Sequence, residues 1–236
     1  MISRLHICSS LLAVVSVHAA TVSGTVSLEG SKDKRVTQRR DYSWVAVWLE
    51  PAGEQRIPQA PRKTVMEQKG KTFLPHVLPI SVGSSVDFPN FDPIFHNAFS
   101  NFNGQMFDVG LYPPKTSRSV RFNREGVVRV FCNIHPAMSA VIVVLRTSLF
   151  DVTGPDGAYR IRDVPPGEYT LKVFHERATE ATLAAVSRKI TVSGELVIPH
   201  FAVSEAGYIA VPHKNKYGKE YPAVVNDTVP YSGGPR

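Results

Sequence analysis

Cys132, His135 and Met138 succeed one another at C-x2-H-x2-M spacing within Phe131-Cys132-Asn133-Ile134-His135-Pro136-Ala137-Met138, and His96 stands upstream of them. A thiol, an imidazole and a thioether this close in sequence face one point only if a tight loop turns them together. All three are soft or borderline metal ligands. One Cys, two His and one Met make up a mononuclear blue-copper site, where two imidazoles and a thiolate form a trigonal plane and a thioether binds weakly on the axis. The chemistry such a set offers is one-electron transfer.

Each residue also has an ordinary reading. An isolated His is usually a surface or core residue; His135 is set apart by its spacing to Cys132, and His96 has no such spacing. A Met among apolar residues is more often core than ligand. Met138 has the short-loop position, and Met106 competes without it. His76, His175, His200 and His213 lack ligand spacing and read as structural or exposed. The Asp and Glu residues show no paired motif, and no second ligand group offers an open catalytic metal position, so the expectation is that the chain is not an enzyme.

The start of the chain reads as an export signal, with Arg4, an apolar run over Leu11–Val17 and small residues at Ala19 and Ala20. Cleavage near residue 20 leaves about 215 residues, enough for one large β domain or two small ones. It also removes Cys8, so Cys132 is the one cysteine of the mature chain, in a compartment where thiols oxidise or pair. Such a thiol is buried and inert, bridged to another chain, or held by a metal. Its ligand-type neighbours favour the metal, which both deprotonates and protects it. The expected location is the periplasm. No later apolar run is long enough to span a membrane. Lys and Arg number 27 against 20 Asp and Glu, but the positive charges are scattered without a nucleic-acid motif, which argues against nucleic acid as partner. The basic balance suits either an acidic protein redox partner or a merely soluble surface.

The elements that must position these residues are strands. Thr21–Leu28 alternates apolar with small polar residues, and Trp44–Leu49 is a second apolar strand. Ser31–Asp41 is charged and reads as loop, and one strand is expected near Lys63–Gln68. Val86 and Phe88 alternate ahead of Pro89-Asn90-Phe91-Asp92-Pro93, which turns the chain before His96. Ser119–Phe122, Val127–Phe131 and Ala140–Leu145 are strands, so Cys132, His135 and Met138 fill one strand-to-strand loop. Thr153-Gly154-Pro155-Asp156-Gly157 and Val164-Pro165-Pro166-Gly167 are turns, bracketing strands at Ala158–Ile161 and Glu168–Phe174. Glu176–Ser187 is a helical turn or a loop; Arg188–Val192 and Leu196–Phe201 are strands. Residues 204–236 form an extended tail that wraps a domain or stays mobile.

The pieces Phe73-x-Pro75, Val86-x-Phe88-x-Asn90-x-Asp92, His96-Asn97, Gly126 ahead of a Val-rich strand, and Cys132 to Met138 together resemble the cupredoxins, specifically the plastocyanin and amicyanin group. The two-residue gap between His135 and Met138 is similar to the short loop of amicyanin. Residues 151–174, with Ser23–Val26 and Val45–Leu49, resemble the carboxypeptidase regulatory-like, transthyretin-type sandwich. The resemblance implies an all-β chain: a cupredoxin Greek-key β-sandwich plus an Ig/transthyretin-like β-sandwich. The domains expected are a signal peptide (1–20), first strands of the regulatory-like sandwich (21–53), the cupredoxin (54–146), the rest of that sandwich (147–203) and the tail (204–236). Two sandwiches in series is the alternative to this insertion.

The same resemblance implies one type 1 copper per chain on His96, Cys132, His135 and Met138, with Asn97 tying the ligand loops together and a surface patch of Pro136, Ala137 and residues 91–95 that docks a protein redox partner. The expected function is periplasmic single-electron transfer by a monomer. Copper binding and handling without electron transfer is the rival, and a structural role for a metal-free domain is a third reading.

Overall fold

The computed structural model describes residues 19–53, 57, 59–101, 104–210 and 212–221. The expected signal peptide lies, but for its last two residues, outside the described residues, as does the end of the tail. The chain begins with β1 (Ala20–Glu29), α1 (Lys34–Arg39), β2 (Ala46–Pro51), β3 (Lys63–Val65), β4 (Glu67–Lys69), β5 (Thr72–Leu74) and β6 (Val77–Ser81). It continues through β7 (Ser85–Pro89), β8 (Phe99–Ser100), β9 (Phe107–Asp108), β10 (Ser117–Arg121), β11 (Gly126–Phe131) and β12 (Ser139–Leu145). It ends with β13 (Phe150–Val152), β14 (Ala158–Val164), β15 (Gly167–Phe174), α2 (Glu180–Val186), β16 (Arg188–Val192), β17 (Leu196–Val197) and β18 (Phe201–Ser204). Among the described residues the chain is all-β apart from two short helices. No helix among the described residues is long and apolar enough to cross a membrane.

Period-2 alternation places one face of each strand inward. Val22, Val26 and Leu28 of β1 meet Val47 and Leu49 of β2, Tyr159 and Ile161 of β14, and Tyr169, Leu171 and Val173 of β15 in one core. That core lies between a sheet in which β1 pairs with β14, β17 and β18, and a second sheet in the order β13-β2-β15-β16. The turn before β14 fits closely against β1. Gly157 has φ +75°, and a Cβ there would collide with the Val26 carbonyl, so only glycine closes the turn.

Strands β3 to β12 pair only with one another among the described residues, as β10-β7-β3, β6-β12-β11-β8-β9 and the hairpin β4-β5. Phe73, Val86, Phe88, Phe122, Val128, Val130, Ile142 and Val144 form their core, and Cys132 and Met138 belong to it. Strand β12 is buried along nearly its whole length because both its faces are covered. Ala140, Ile142 and Val144 face this core. Val141, Val143 and Leu145 face Ala46, Trp48, Phe150 and Phe174 of the neighbouring sheet, and Trp44 just ahead of β2. At roughly 1.5–3 kcal/mol per fully buried aliphatic side chain, that contact outweighs any surface ion pair and stacks the two sets of sheets.

A buried polar cluster fixes the exit of β18. Glu205 accepts from His175 Nε2 at 2.8 Å, from Arg177 Nε and Nη2 at 3.0 Å each, and from Ser31 Oγ at 2.7 Å. Burial pushes the Glu205 carboxyl up, but the hydrogen bonds from His175, Arg177 and Ser31 outweigh it and hold it at about 2. The chain that follows is thus anchored at its root.

Three local expectations differ from the structure. The charged stretch before β2 contains α1, because the Asp33 side chain caps the Arg35 N–H and Val36 is buried; six residues are too few to show a helical period. The strand expected near Lys63–Gln68 is split at Met66, which turns inward so that β3 pairs with β7 and β4 with β5. Leu196–Phe201 is split into β17 and β18, since Pro199 has no N–H for the ladder, although both pieces run parallel to β1.

Candidate metal centre

His96 is delivered by the turn after β7. Asn90 organises that turn: its Oδ1 accepts from Asp92 N at 3.0 Å and its Nδ2 donates to Ile94 O at 2.8 Å. His96 and Tyr112 then exchange backbone hydrogen bonds of 3.2 and 2.8 Å, which fixes the position of the imidazole. On the other side, β11 ends at Phe131 and the chain re-enters β12 at Ser139, its register partner. The connection is closed by Met138 N–H to His135 O at 3.0 Å and Cys132 N–H to Met138 O at 3.1 Å. A loop this short, braced inside by its own backbone, turns the Cys132 and His135 side chains the same way.

The two stretches bring three ligand-type atoms together. Cys132 Sγ lies 3.4 Å from His135 Nδ1 and 3.9 Å from His96 Nδ1, and the two Nδ1 atoms are 3.1 Å apart. Metal bonds of about 2.0–2.3 Å to nitrogen and sulfur, spread around a trigonal plane, put ligand atoms about 3.5 Å from each other. The observed separations bracket that value, so the donor set and its spacing fit a metal ion. Cys132, His96 and Met138 are fully buried and His135 is 5% exposed. A thiol and two imidazoles taken out of water are costly unless their polar atoms are engaged, and here they are turned toward one another.

The tautomer of His96 follows from its outer partner. His96 Nε2 lies 2.8 Å from Asp92 Oδ2. Asp92 also accepts the Gly70 and Lys71 backbone N–H groups at 2.6 and 2.8 Å. Burial raises the Asp92 carboxyl, and the hydrogen bonds from Lys71, His96 and Gly70 more than reverse this, so its pKa is lowered. A carboxylate only accepts, so Nε2 of His96 carries the proton and Nδ1 presents its lone pair to the cluster. The sequence places Asp92 in the turn and in the motif Val86-x-Phe88-x-Asn90-x-Asp92, without assigning it a role at the site. Replacing it with asparagine is expected to weaken metal binding by about 10–100-fold, as loss of an orienting partner does, while leaving the far-ultraviolet circular dichroism unchanged. Competition against a chelator of known affinity measures it.

The other candidates are placed as follows. Met138 sits at the end of the Cys132–Met138 loop, buried in the same core as Cys132. Met106, its competitor, is 77% exposed. His76 bonds Ser139 O and Glu176, His175 bonds Glu205, and His200 bonds Thr25 and Ser27, all away from the cluster. The side-chain amide of Asn97 donates to Asp108 Oδ1 and Gly110 O rather than to the Cys132 loop, so the tie expected of it is made to the segment around β9. His213, read as structural or exposed, bonds the backbone of the loop that carries Cys132 and His135: its Nε2 lies 2.7 Å from Pro136 O.

No protein-family model and no curated protein matches the chain. Among solved structures, the chain is similar to a purple cupredoxin of Nitrosopumilus maritimus, at 24% identity over 35% of this chain and 99% of that one, with a TM-score of 0.32. Amicyanin of Paracoccus versutus overlaps at 19% identity over 41% of this chain and 97% of its own, with a TM-score of 0.33. A copper-containing nitrite reductase of Thermus scotoductus overlaps at 22% identity, TM-score 0.34, and the match spans 28% of that enzyme. These neighbours are cupredoxins or copper proteins. The overlaps are partial and loose.

Proposed function

We propose that the chain is a type 1 copper protein that carries single electrons between protein partners, with one copper held by His96, Cys132, His135 and Met138. The observation that carries this reading is the buried convergence of Cys132 Sγ with the Nδ1 atoms of His96 and His135. Copper so held supplies a one-electron couple. The protein's part is to keep the ligands fixed in both oxidation states: Asp92 holds the His96 tautomer, Tyr112 its backbone, and the closed Cys132–Met138 loop the other ligands. Burial of the cluster excludes water and weighs against a role in passing copper to other proteins. Were Met138 to complete the set with His96, Cys132 and His135, a bound ion would have no position left for a substrate, which favours a carrier over an enzyme.

On this reading the regulatory-like sandwich is contributed by residues 21–53 and 147–203 and the copper unit by 54–146, the protein acts as a monomer, and it works in the periplasm after export. Pro136 and Ala137 lie exposed between His135 and Met138, and Phe91 lies exposed ahead of His96. These form the electron exit. The test is Ala137→Glu, which places a charge at that exit without touching a ligand. In copper-loaded protein it is expected to slow electron self-exchange by about tenfold, since interface charges act chiefly on association, with the visible spectrum unchanged. An unaltered self-exchange rate would remove this face as the exit.

A further inference from the structure

Within the tail after β18, residues 212–221 lie against the loop between β11 and β12. Tyr221 Oη donates to Cys132 O at 2.8 Å, His213 Nε2 donates to Pro136 O at 2.7 Å, and Lys216 N donates to Asn133 Oδ1 at 3.0 Å. The His213 ring stacks on Phe131, with centroids 3.9 Å apart and planes 24° apart, and meets the Tyr221 ring edge-on at 5.2 Å. Between these contacts the tail is shaped by its own turn. Asn215 Oδ1 accepts from Tyr217 N and Lys219 N at 3.0 Å each, and Gly218 N donates to Asn215 O at 2.9 Å.

The same segment reaches the other ligand-bearing stretch. Lys216 Nζ donates to Asp108 Oδ2 at 2.7 Å, and the second oxygen of that carboxylate holds the Asn97 amide, next in sequence to His96. Burial raises the Asp108 carboxyl, and the hydrogen bonds from Lys216, Gly110 and Asn97 bring it below its ordinary value, so the link is a charged one. The tie between the two ligand stretches that Asn97 does not make directly therefore runs through the tail. One arm grips Cys132, Asn133 and Pro136, and the other grips Asp108 behind His96. One further bond between this segment and the rest of the chain, from Asn101 Nδ2 to Lys216 O at 3.4 Å, falls elsewhere; the four named above fall on the Cys132–Met138 loop or on the residue that holds Asn97.

We infer that residues 212–221 are a strap that positions the metal centre, with Tyr221 and His213 as positioning residues that hold the Cys132–His135 loop in its metal-ready arrangement. The inference rests on the reading of the cluster as a copper site, but its contacts belong to the protein alone. The strap fixes the loop before the ion arrives and slows its loss afterwards. It leaves the exposed Pro136–Ala137 edge open to a partner.

The test uses the full chain with Tyr221→Phe, which keeps the ring and removes the hydroxyl, His213→Phe, which keeps the stacking and removes the bond to Pro136, and the double variant. In metal-free protein, amide hydrogen exchange across Asn133–Met138 is expected to quicken about fivefold in each single variant and more in the double, in line with the net worth of one hydrogen bond. Exchange in β1 and β15 stays unchanged. In copper-loaded protein, release to a chelator quickens by a similar factor and the charge-transfer band shifts, which a purely structural tail would not cause. Wild-type exchange, release and band position in all three variants would overturn the strap. If no intense band forms even in wild type while loop exchange quickens in the variants, the strap stands as the loop's clamp and the copper reading falls.

Discussion

Replacing Cys132 with serine is expected to abolish the intense visible absorption of the copper-loaded protein and to lower its copper affinity well beyond the roughly 10–100-fold loss predicted for Asp92→Asn. The thiolate is the softest donor of the set and the one that gives such a site its charge-transfer band. Serine is close in size, so the fully buried position keeps its shape, and the hydroxyl can turn to the same imidazoles. The hydroxyl cannot replace the sulfur electronically. Absorption spectra and copper competition on wild type and variant decide this. A retained band would mean that Cys132 is not the ligand.

The second large effect is on stability and is expected at a distance from the metal. Leu171 is fully buried in the core formed by β1, β2, β14 and β15. Leu171→Ala removes its burial and leaves a cavity, for about 2–5 kcal/mol, which in a domain of this size lowers the melting temperature by about 5–15 °C. The copper spectrum at room temperature is expected to be unaltered, because Cys132 and Met138 belong to the separate core of β3 to β12. A melting curve by circular dichroism and a spectrum of the same sample are sufficient. A shifted spectrum at full folding would show that the two cores are not separate where the metal is held.

Much of the strand pattern could be read from alternation alone. β1, β7, β11 and β15 were expected within a residue or two of where they lie, because each has one buried face and the period shows. β12 was recognisable as a strand from its β-branched run, but its two buried faces, one on each core, could not be read before the sheets were stacked. α1 was missed because a six-residue helix made of Lys, Arg, Thr and Gln depends on one cap and one buried Val. The split at Pro199 follows from its missing backbone donor, a signal that is local to the sequence.

At the site, Cys132 and His135 were legible because their spacing is itself the signal, and His96 needed a resemblance because its partner is far along the chain. Asp92 was in view as a turn residue and as part of the resemblance motif, but that its carboxylate faces His96 Nε2 depends on how Gly70 and Lys71 approach it from another loop. Tyr221, Lys216 and His213 were beyond reach. They sit in a proline-broken stretch without periodicity, and only the folded path brings them onto Cys132, Asp108 and Pro136.

The most direct measurement is the visible and electron paramagnetic resonance spectrum of the purified protein after loading with Cu(II). The predicted result is one copper per chain with an intense absorption toward the red, reversibly bleached on one-electron reduction. Correctly folded, copper-loaded protein with only the weak absorption of an ordinary nitrogen and oxygen site would contradict the central claim.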